Sequence, residues 1–112
     1  MAHNEAHNAL VRDALQELAI NGYTAWRNET GAWIDDRGIP HKFGKKGSAD
    51  IILILAPNGR HVEAEAKTGS GAQSKSQKIH QEFVVERNGG AYILFRSTAE
   101  LLVELEKLKV SN

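Results

Sequence analysis

The segment "SADIILILAPNGRHVEAEAK" (48–67) decides how this chain folds. Its first part, 48–55, is a continuous run rich in isoleucine and leucine, which predicts a strand buried on both faces. A turn, "APNGR" (56–60), comes next. The residues of 61–67 then alternate, with small apolar side chains on one face and Glu63, Glu65 and Lys67 on the other. The segment therefore predicts an antiparallel hairpin.

Helices and shorter strands are predicted on both sides of this hairpin. Apolar residues recur at three- and four-residue spacing in the helical segments, and short apolar runs mark the strands. The predicted helices are 5–20, 75–88 and 98–109, and the flanking strands are 23–28 and 91–95. Residues 29–47 read as a long polar loop, which in a small domain is more often functional than idle. The order α-β-β-β-α-β-α predicts an α/β fold, a mixed sheet flanked by helices, in a single domain over 1–112.

Composition limits where the protein works. The 112 residues contain no cysteine, which excludes disulfides and thiolate metal sites and favours the cytoplasm. No apolar run approaches the roughly 18 residues that a membrane span requires. The N-terminal residues lack the pattern of a signal peptide. We therefore expect a cytoplasmic protein that does not associate with membranes.

Charge is unevenly distributed although the formal net charge is zero. Between Arg37 and Lys78 there are eight basic and three acidic residues, so this segment carries +5 and the rest of the chain −5. A basic middle is compatible with binding a polyanion, although a solvated surface can produce the same clustering. The long loop holds the basic residues that we expect to contact phosphates, namely Arg37, Lys42, Lys45 and Lys46.

Asp50 and Glu65 are the residues that point to catalysis. Asp50 stands at the start of the most apolar strand, and the predicted hairpin brings Glu65 near it. Two adjacent carboxylates repel, and a divalent cation with a preference for oxygen ligands, Mg²⁺ or Mn²⁺, removes the repulsion. Lys67 lies on the same strand face as Glu65, where it can stabilise a hydroxide nucleophile or the charge that develops on a phosphate. Metal and lysine beside a basic surface suit phosphodiester hydrolysis.

These residues resemble the PD-(D/E)XK nuclease superfamily, and four segments resemble its VRR-NUC domain, in particular small standalone members from phages and bacteria. The segments are "WRNETGAW" (26–33), "GSADIILIL" (47–55), "EAKTGSGAQSKSQ" (65–77) and "GGAYILFRS" (89–97). They occur in family order and cover roughly 23–97. The resemblance implies a restriction-endonuclease-like fold.

The resemblance also implies roles for individual residues. Asp50 and Glu65 hold the metal with the carbonyl of Ala66, Lys67 is the catalytic lysine, and Gln77 organises the site. These implied catalytic and metal-binding residues are Asp50, Glu65, Ala66, Lys67 and Gln77.

The first helix of the family supplies a further glutamate. Glu5 is the expected ligand in this chain, and Glu17 is the alternative. Glu63 reads as a supporting or solvated residue rather than a ligand. His3 and His7 have a zinc-like spacing on a helix, but no third ligand is evident in the sequence. We therefore expect no metal role for this histidine pair.

Arg27 and Lys75 are also predicted to bind DNA, and Asn28 is predicted to line the site with Arg27. Arg27 and Asn28 fall in the first family-like segment, and Lys75 begins the helix that carries Gln77. Trp26 and Trp33 could stack on bases, but we expect them to pack in the core or anchor a loop.

The expected function is a Mg²⁺- or Mn²⁺-dependent DNA endonuclease. The resemblance implies a homodimer acting on branched DNA in the manner of Holliday-junction resolvases. Two alternatives remain at this point: a flap or nicking nuclease of phage replication or packaging, and a DNA-binding module that has lost its chemistry.

Overall fold

The computed structural model describes residues 2–111, with side chains described for 5–110. Three helices and six strands form a mixed α/β fold. The helices are α1 (Ala2–Ile20), α2 (Lys75–His80) and α3 (Thr98–Ser111). The strands are β1 (Thr24–Arg27), β2 (Gly31–Ile34), β3 (Pro40–Phe43), β4 (Ile51–Leu55), β5 (Arg60–Ala66) and β6 (Ala91–Phe95). Helix α2 continues through a π-helical turn (Gln81–Val85) and a 3₁₀ turn (Glu86–Asn88), so the predicted helical segment 75–88 is confirmed.

The main sheet has the strand order β1-β4-β5-β6. Strands β1, β4 and β5 pair antiparallel, and β6 runs parallel to β5. Ile51 pairs with Ala64 and Leu55 pairs with Arg60, so the hairpin predicted from 48–67 is confirmed. This register places the start of β4 beside the end of β5.

One face of the sheet carries the hydrophobic core. Apolar residues of α1 and α3 pack there against alternate residues of β4, β5 and β6. The buried side chains include Val11, Leu18, Leu53, Phe95 and Leu101. The core thus fixes the position of α1 over the sheet, and with it the residues that α1 presents to the edge where β4 begins.

Two features differ from the sequence-based expectations. The predicted loop 29–47 contains a second, two-stranded sheet formed by β2 and β3, so the order α-β-β-β-α-β-α lacked one hairpin. Strand β4 is buried on one face only, because Ile52 is half-buried and Ile54 is exposed. The helical segment after His80 packs against β5 and β6 on that second face, which leaves the face of β4 partly open.

No helix within the described residues has the length and apolar character needed to cross a membrane.

Candidate active site

Asp50 and Glu65 meet at one end of the two central strands of the main sheet, where β4 begins and β5 ends. The Asp50 carboxylate accepts a hydrogen bond of 2.9 Å at Oδ2 from the backbone N–H of Ala66, which fixes its orientation. One ligand atom each from His7, Asp50 and Glu65 lies within 4.8 Å of the other two. The predicted proximity of Asp50 and Glu65 is therefore confirmed, and His7 of α1 joins them.

Glu65 is held in a state that resists ionisation. Its residue is only 4% exposed. Burial and the neighbouring charge of Asp50 raise the pKa of Glu65 to about 7, although Lys67 and Gln77 act in the opposite direction. The carboxylates of Asp50 and Glu65 therefore repel each other at a poorly hydrated position, and a cation placed between them would remove this repulsion.

Lys67, Gln77 and Glu65 form a closed triangle of polar contacts. The Lys67 ammonium donates a hydrogen bond of 2.9 Å to Gln77 Oε1, and its Nζ lies 3.3 Å from Glu65 Oε2. Gln77 Nε2 donates to that same Glu65 oxygen at 2.9 Å. The expectation that strand alternation puts Lys67 on the face of Glu65 is confirmed, and Gln77 fixes the separation of the other two side chains.

A capping box positions Gln77. The backbone N–H of Gln77 donates to Ser74 Oγ at 3.2 Å, and the backbone N–H of Ser74 donates to Gln77 Oε1 at 2.9 Å. Gln77 Oε1 thus accepts from both Ser74 and Lys67. The Ser-x-x-Gln pattern of 74–77 has a local physical cause, because this spacing satisfies the free N–H groups at the start of α2.

Asn28 holds the backbone that leads into Asp50. Its backbone N–H donates to the Asp50 carbonyl at 2.7 Å, and its Nδ2 donates to both Ser48 Oγ and the Ala49 carbonyl at 2.8 Å. These three bonds tie the end of β1 to the segment before β4. Asn28 therefore fixes the approach of Asp50 to Glu65 without contacting either carboxylate.

Glu63 lies at the centre of a second, buried polar cluster. One oxygen, Oε1, accepts from His80 Nε2 at 2.8 Å and from the Ala49 N–H at 3.1 Å, and Oε2 pairs with His61 Nε2 at 2.7 Å. Burial alone would raise the pKa of Glu63, but the bonds from His61 and Ala49 and the interaction with His80 together lower it. Glu63 is 4% exposed, so the solvated alternative is wrong and the supporting role fits its contacts.

The first helix places a histidine, rather than either predicted glutamate, beside Asp50. Glu5 is exposed and is not part of the group formed by His7, Asp50 and Glu65, and neither is Glu17. His7 Nε2 lies 3.1 Å from Asp50 Oδ2. His7 thus lies beside the pair of carboxylates, although the sequence predicts no metal role for it together with His3, and the side chain of His3 lies outside those described.

The spacing of α1 explains this difference. His7 precedes the core residues Val11, Ala14 and Leu18 by four, seven and eleven positions, which places it on the helix face that packs on the sheet. A ligand from α1 must lie on that face. Glu5, two positions earlier, projects from another side of the helix, which is why it is exposed.

The backbone of Ala66 also lies at this site. Its N–H donates to Asp50, and the C=O of a strand residue points to the same side as its N–H. The Ala66 carbonyl, which is a predicted metal ligand, therefore points toward the side of β5 on which Asp50 lies.

The basic residues predicted to contact DNA lie at the surface in three places. Arg27 ends β1 and donates to Asn8 Oδ1 at 2.9 Å. The second group belongs to the β2–β3 hairpin and the segment that follows it, and consists of Arg37, Lys42, Lys45 and Lys46. Lys75 opens α2 and is exposed. Lys45 and Lys46 line a cleft of about 300 Å³ together with Ser76 of α2, the residue that follows Lys75.

No protein-family model, curated protein or solved structure matches this chain significantly.

Proposed function

We propose that this protein is a metal-dependent DNA endonuclease of the PD-(D/E)XK type, with a VRR-NUC-like domain. The observation that carries the proposal is the meeting of Asp50, Glu65 and Lys67 at one sheet edge, with Gln77 joining the last two. Two buried carboxylates that repel each other lower the stability of the fold, and nothing in the core requires them. A purely structural role therefore does not explain these acids and the fixed lysine beside them.

The fold supports the same proposal. Without β2 and β3, the order of elements is α1-β1-β4-β5-α2-β6-α3, with three antiparallel strands followed by a parallel one. We propose that this is a restriction-endonuclease-like core and that the β2–β3 hairpin is an insertion between its first two strands. In such a core the reactive groups belong at the start of β4 and the end of β5, where Asp50 and Glu65 lie.

The donor set fits a divalent cation. Asp50 and Glu65 offer carboxylate oxygens, the Ala66 carbonyl faces the same edge, and His7 adds a ring nitrogen. Oxygen ligands suit Mg²⁺ and Mn²⁺, and the imidazole favours Mn²⁺ over Mg²⁺ because Mg²⁺ takes oxygen ligands. When bound, such an ion supplies Lewis-acid activation at a phosphate and lowers the pKa of water.

The remaining chemistry belongs to the side chains of the chain. Lys67 carries a positive charge that would stabilise the charge developing on the phosphate as the bond to the leaving oxygen breaks. Gln77 holds the ammonium group through Oε1, so the lysine is oriented before substrate binds. Asn28 and Glu63 immobilise the backbone of Ala49, directly before Asp50.

The substrate that we propose is branched DNA, and the working form is a homodimer. Arg27, Lys45, Lys46 and Lys75 supply positive charge around the site, which suits the phosphate backbone. A chain of this size covers little DNA, and a two-fold dimer would present two such sites to a branch point.

The test is cleavage of labelled DNA by the wild-type protein and by Lys67→Ala. A four-way junction, a flap and a linear duplex are incubated with Mg²⁺ or Mn²⁺. We expect metal-dependent cutting, and for Lys67→Ala a rate lower by about 100-fold or more, as expected for loss of one group that stabilises transition-state charge. Lys107→Ala is the matched control, because Lys107 is an exposed lysine of α3 that pairs with Glu104.

Activity of Lys67→Ala equal to wild type would exclude this mechanism. The three substrates separate a junction resolvase from a flap or nicking nuclease. Absence of divalent-metal binding by calorimetry would instead favour a DNA-binding module without catalytic activity.

A further inference from the structure

The β2–β3 hairpin presents an aromatic face that the hydrophobic core does not use. Trp33 pairs with His41 and Gly31 pairs with Phe43 across the two strands, so these side chains share one face. The rings of Trp33 and His41 stack with centroids 4.5 Å apart and planes inclined by 16°. Gly31 leaves room for Phe43, since a Cβ there would lie 2.7 Å from its ring carbon Cζ. We call Trp33, His41 and Phe43 the aromatic face.

The aromatic face is held in shape by the turn that joins β2 to β3. Asp35 Oδ1 accepts hydrogen bonds of 2.9 Å from the backbone N–H groups of Arg37 and Ile39. Its Oδ2 pairs with His41 Nε2 at 2.8 Å, and this bond is the main reason that the pKa of Asp35 is lowered. The imidazole is therefore fixed beneath Trp33, and the rings do not need to be ordered when a ligand binds.

The aromatic face is also open to solvent. Trp33 is 54% exposed and Phe43 is 46% exposed, and neither belongs to the core cluster of the described residues. Neighbouring aromatic side chains left in water in this way indicate a binding surface.

The charge around the hairpin indicates what binds there. Arg37, Lys45 and Lys46 lie in the turn of the hairpin or directly after it, Lys42 lies on its opposite face, and of its two acids Asp35 is engaged within the turn. Aromatic rings beside basic side chains are the combination that binds single-stranded nucleic acid, with bases stacked on the rings and phosphates near the cations. A duplex hides the faces of its bases inside its own stack. A second copy of this chain would bring like charges together, which opposes self-association through this surface.

The hairpin is attached directly beside the candidate active site. The chain leaves the main sheet after β1 and returns at Asp50, and the Asn28 N–H donates to the Asp50 carbonyl at 2.7 Å. Gly44 closes the base of the hairpin, since a Cβ there would lie 2.6 Å from the carbonyl oxygen of Glu29. A strand bound on the hairpin would therefore lie next to the residues proposed to cut it.

We propose that the aromatic face is a stacking platform for the unpaired bases of a single-stranded DNA segment. This inference rests on the proposed function for its DNA substrate, but it does not depend on the cleavage chemistry. It narrows branched DNA to forms with an unpaired strand near the cut, such as a flap.

The experiment follows the fluorescence of Trp33. The chain has two tryptophans, so Trp26→Phe leaves Trp33 as the single reporter. This variant is titrated in EDTA with a short oligothymidylate and with a duplex of the same length. We expect quenching by the single strand and much weaker quenching by the duplex. In the same background Phe43→Ala weakens binding by about 10-fold, within the range for loss of one stacking partner.

Ile34→Ala is the matched control for Phe43→Ala. Ile34 lies on the opposite face of the same hairpin and is 71% exposed, so its removal changes apolar surface without touching the platform. Equal affinity for single strand and duplex would overturn the proposal, and so would equal weakening by Ile34→Ala and Phe43→Ala. Trp33 emission that changes with protein concentration in the absence of DNA would assign the face to a second copy and would also overturn it.

The outcome is separable from that of the proposed function. Quenching by the single strand in a protein that cuts no DNA with either metal supports the platform and contradicts the nuclease. Metal-dependent cutting without quenching does the reverse.

Discussion

Glu63 and Glu65 lie two residues apart on one face of β5, are equally buried, and have pKa values shifted in opposite directions. The pKa of Glu65 is raised from 4.5 to about 7, mainly by burial and also by the negative charge of Asp50. The folded protein therefore holds a proton on Glu65 that the unfolded chain releases between these two values. Stability falls as pH rises through this window, by about 3 kcal/mol in total.

The substitution Glu65→Gln removes this loss, because an amide resembles the protonated acid and can still accept from Gln77. We expect Glu65→Gln to stabilise the metal-free protein by about 3 kcal/mol near pH 8 and by about 1 kcal/mol near pH 5. Glu63→Gln provides the matched control with the opposite sign. Because the pKa of Glu63 is lowered, its ionised form contributes stability above the ordinary value, and this contribution is lost only as pH falls through the folded pKa.

The assay is urea denaturation in EDTA across this pH range, followed by tryptophan fluorescence. Addition of Mn²⁺ at 100 times its dissociation constant should stabilise the wild type by about 2.7 kcal/mol near pH 8 and stabilise Glu65→Gln much less. If Glu65→Gln destabilises the protein near pH 8 as Glu63→Gln does, the carboxylates of Asp50 and Glu65 do not repel each other in the folded protein. The electrostatic argument for a cation at this edge would then be wrong.

Two further predictions concern histidines. His80→Ala removes a buried partner of Glu63 and should lower the free energy of unfolding by about 3 kcal/mol, whereas His61→Ala, which removes a half-exposed partner of the same carboxylate, should cost less than about 1 kcal/mol. Equal losses in urea denaturation would show that the link from Glu63 to α2 has no special importance. His7→Asn should weaken Mn²⁺ binding in calorimetry by at least the roughly 10-fold that loss of even a supporting residue costs, and an unchanged affinity would exclude His7 as a ligand.

Much of the fold and part of the site could be predicted because the signals are local. The periodicity of apolar residues places every helix and the four strands of the main sheet within a few positions. The run of 48–55, the turn after it and the alternation of 61–67 were enough to bring Asp50 opposite Glu65. The hydrogen bonds between Ser74 and Gln77 can likewise be predicted from their spacing, because a capping box joins residues within one turn of helix.

Other features depend on how distant elements pack. Strand alternation puts Glu63 and Glu65 on one face of β5. Only the tertiary structure brings His80 and Ala49 to Glu63. It likewise brings Asp50 to Glu65. Their opposite pKa shifts follow from those neighbours and from burial, neither of which strand alternation specifies.

Two differences remain, and they have different physical origins. The β2–β3 hairpin was missed because 29–47 lacks regular apolar alternation, and its order comes from a turn centred on Asp35 and from one ring stack. The placement of His7 rather than Glu5 beside Asp50 depends on how α1 is rotated over the sheet, which packing of Val11, Ala14 and Leu18 in the core decides. The sequence by itself determined the helices, the strands of the main sheet and the pair of carboxylates, because these depend on short spacings along the chain. Only the tertiary structure decided which other side chains reach that pair, because this depends on the packing of elements far apart in the sequence.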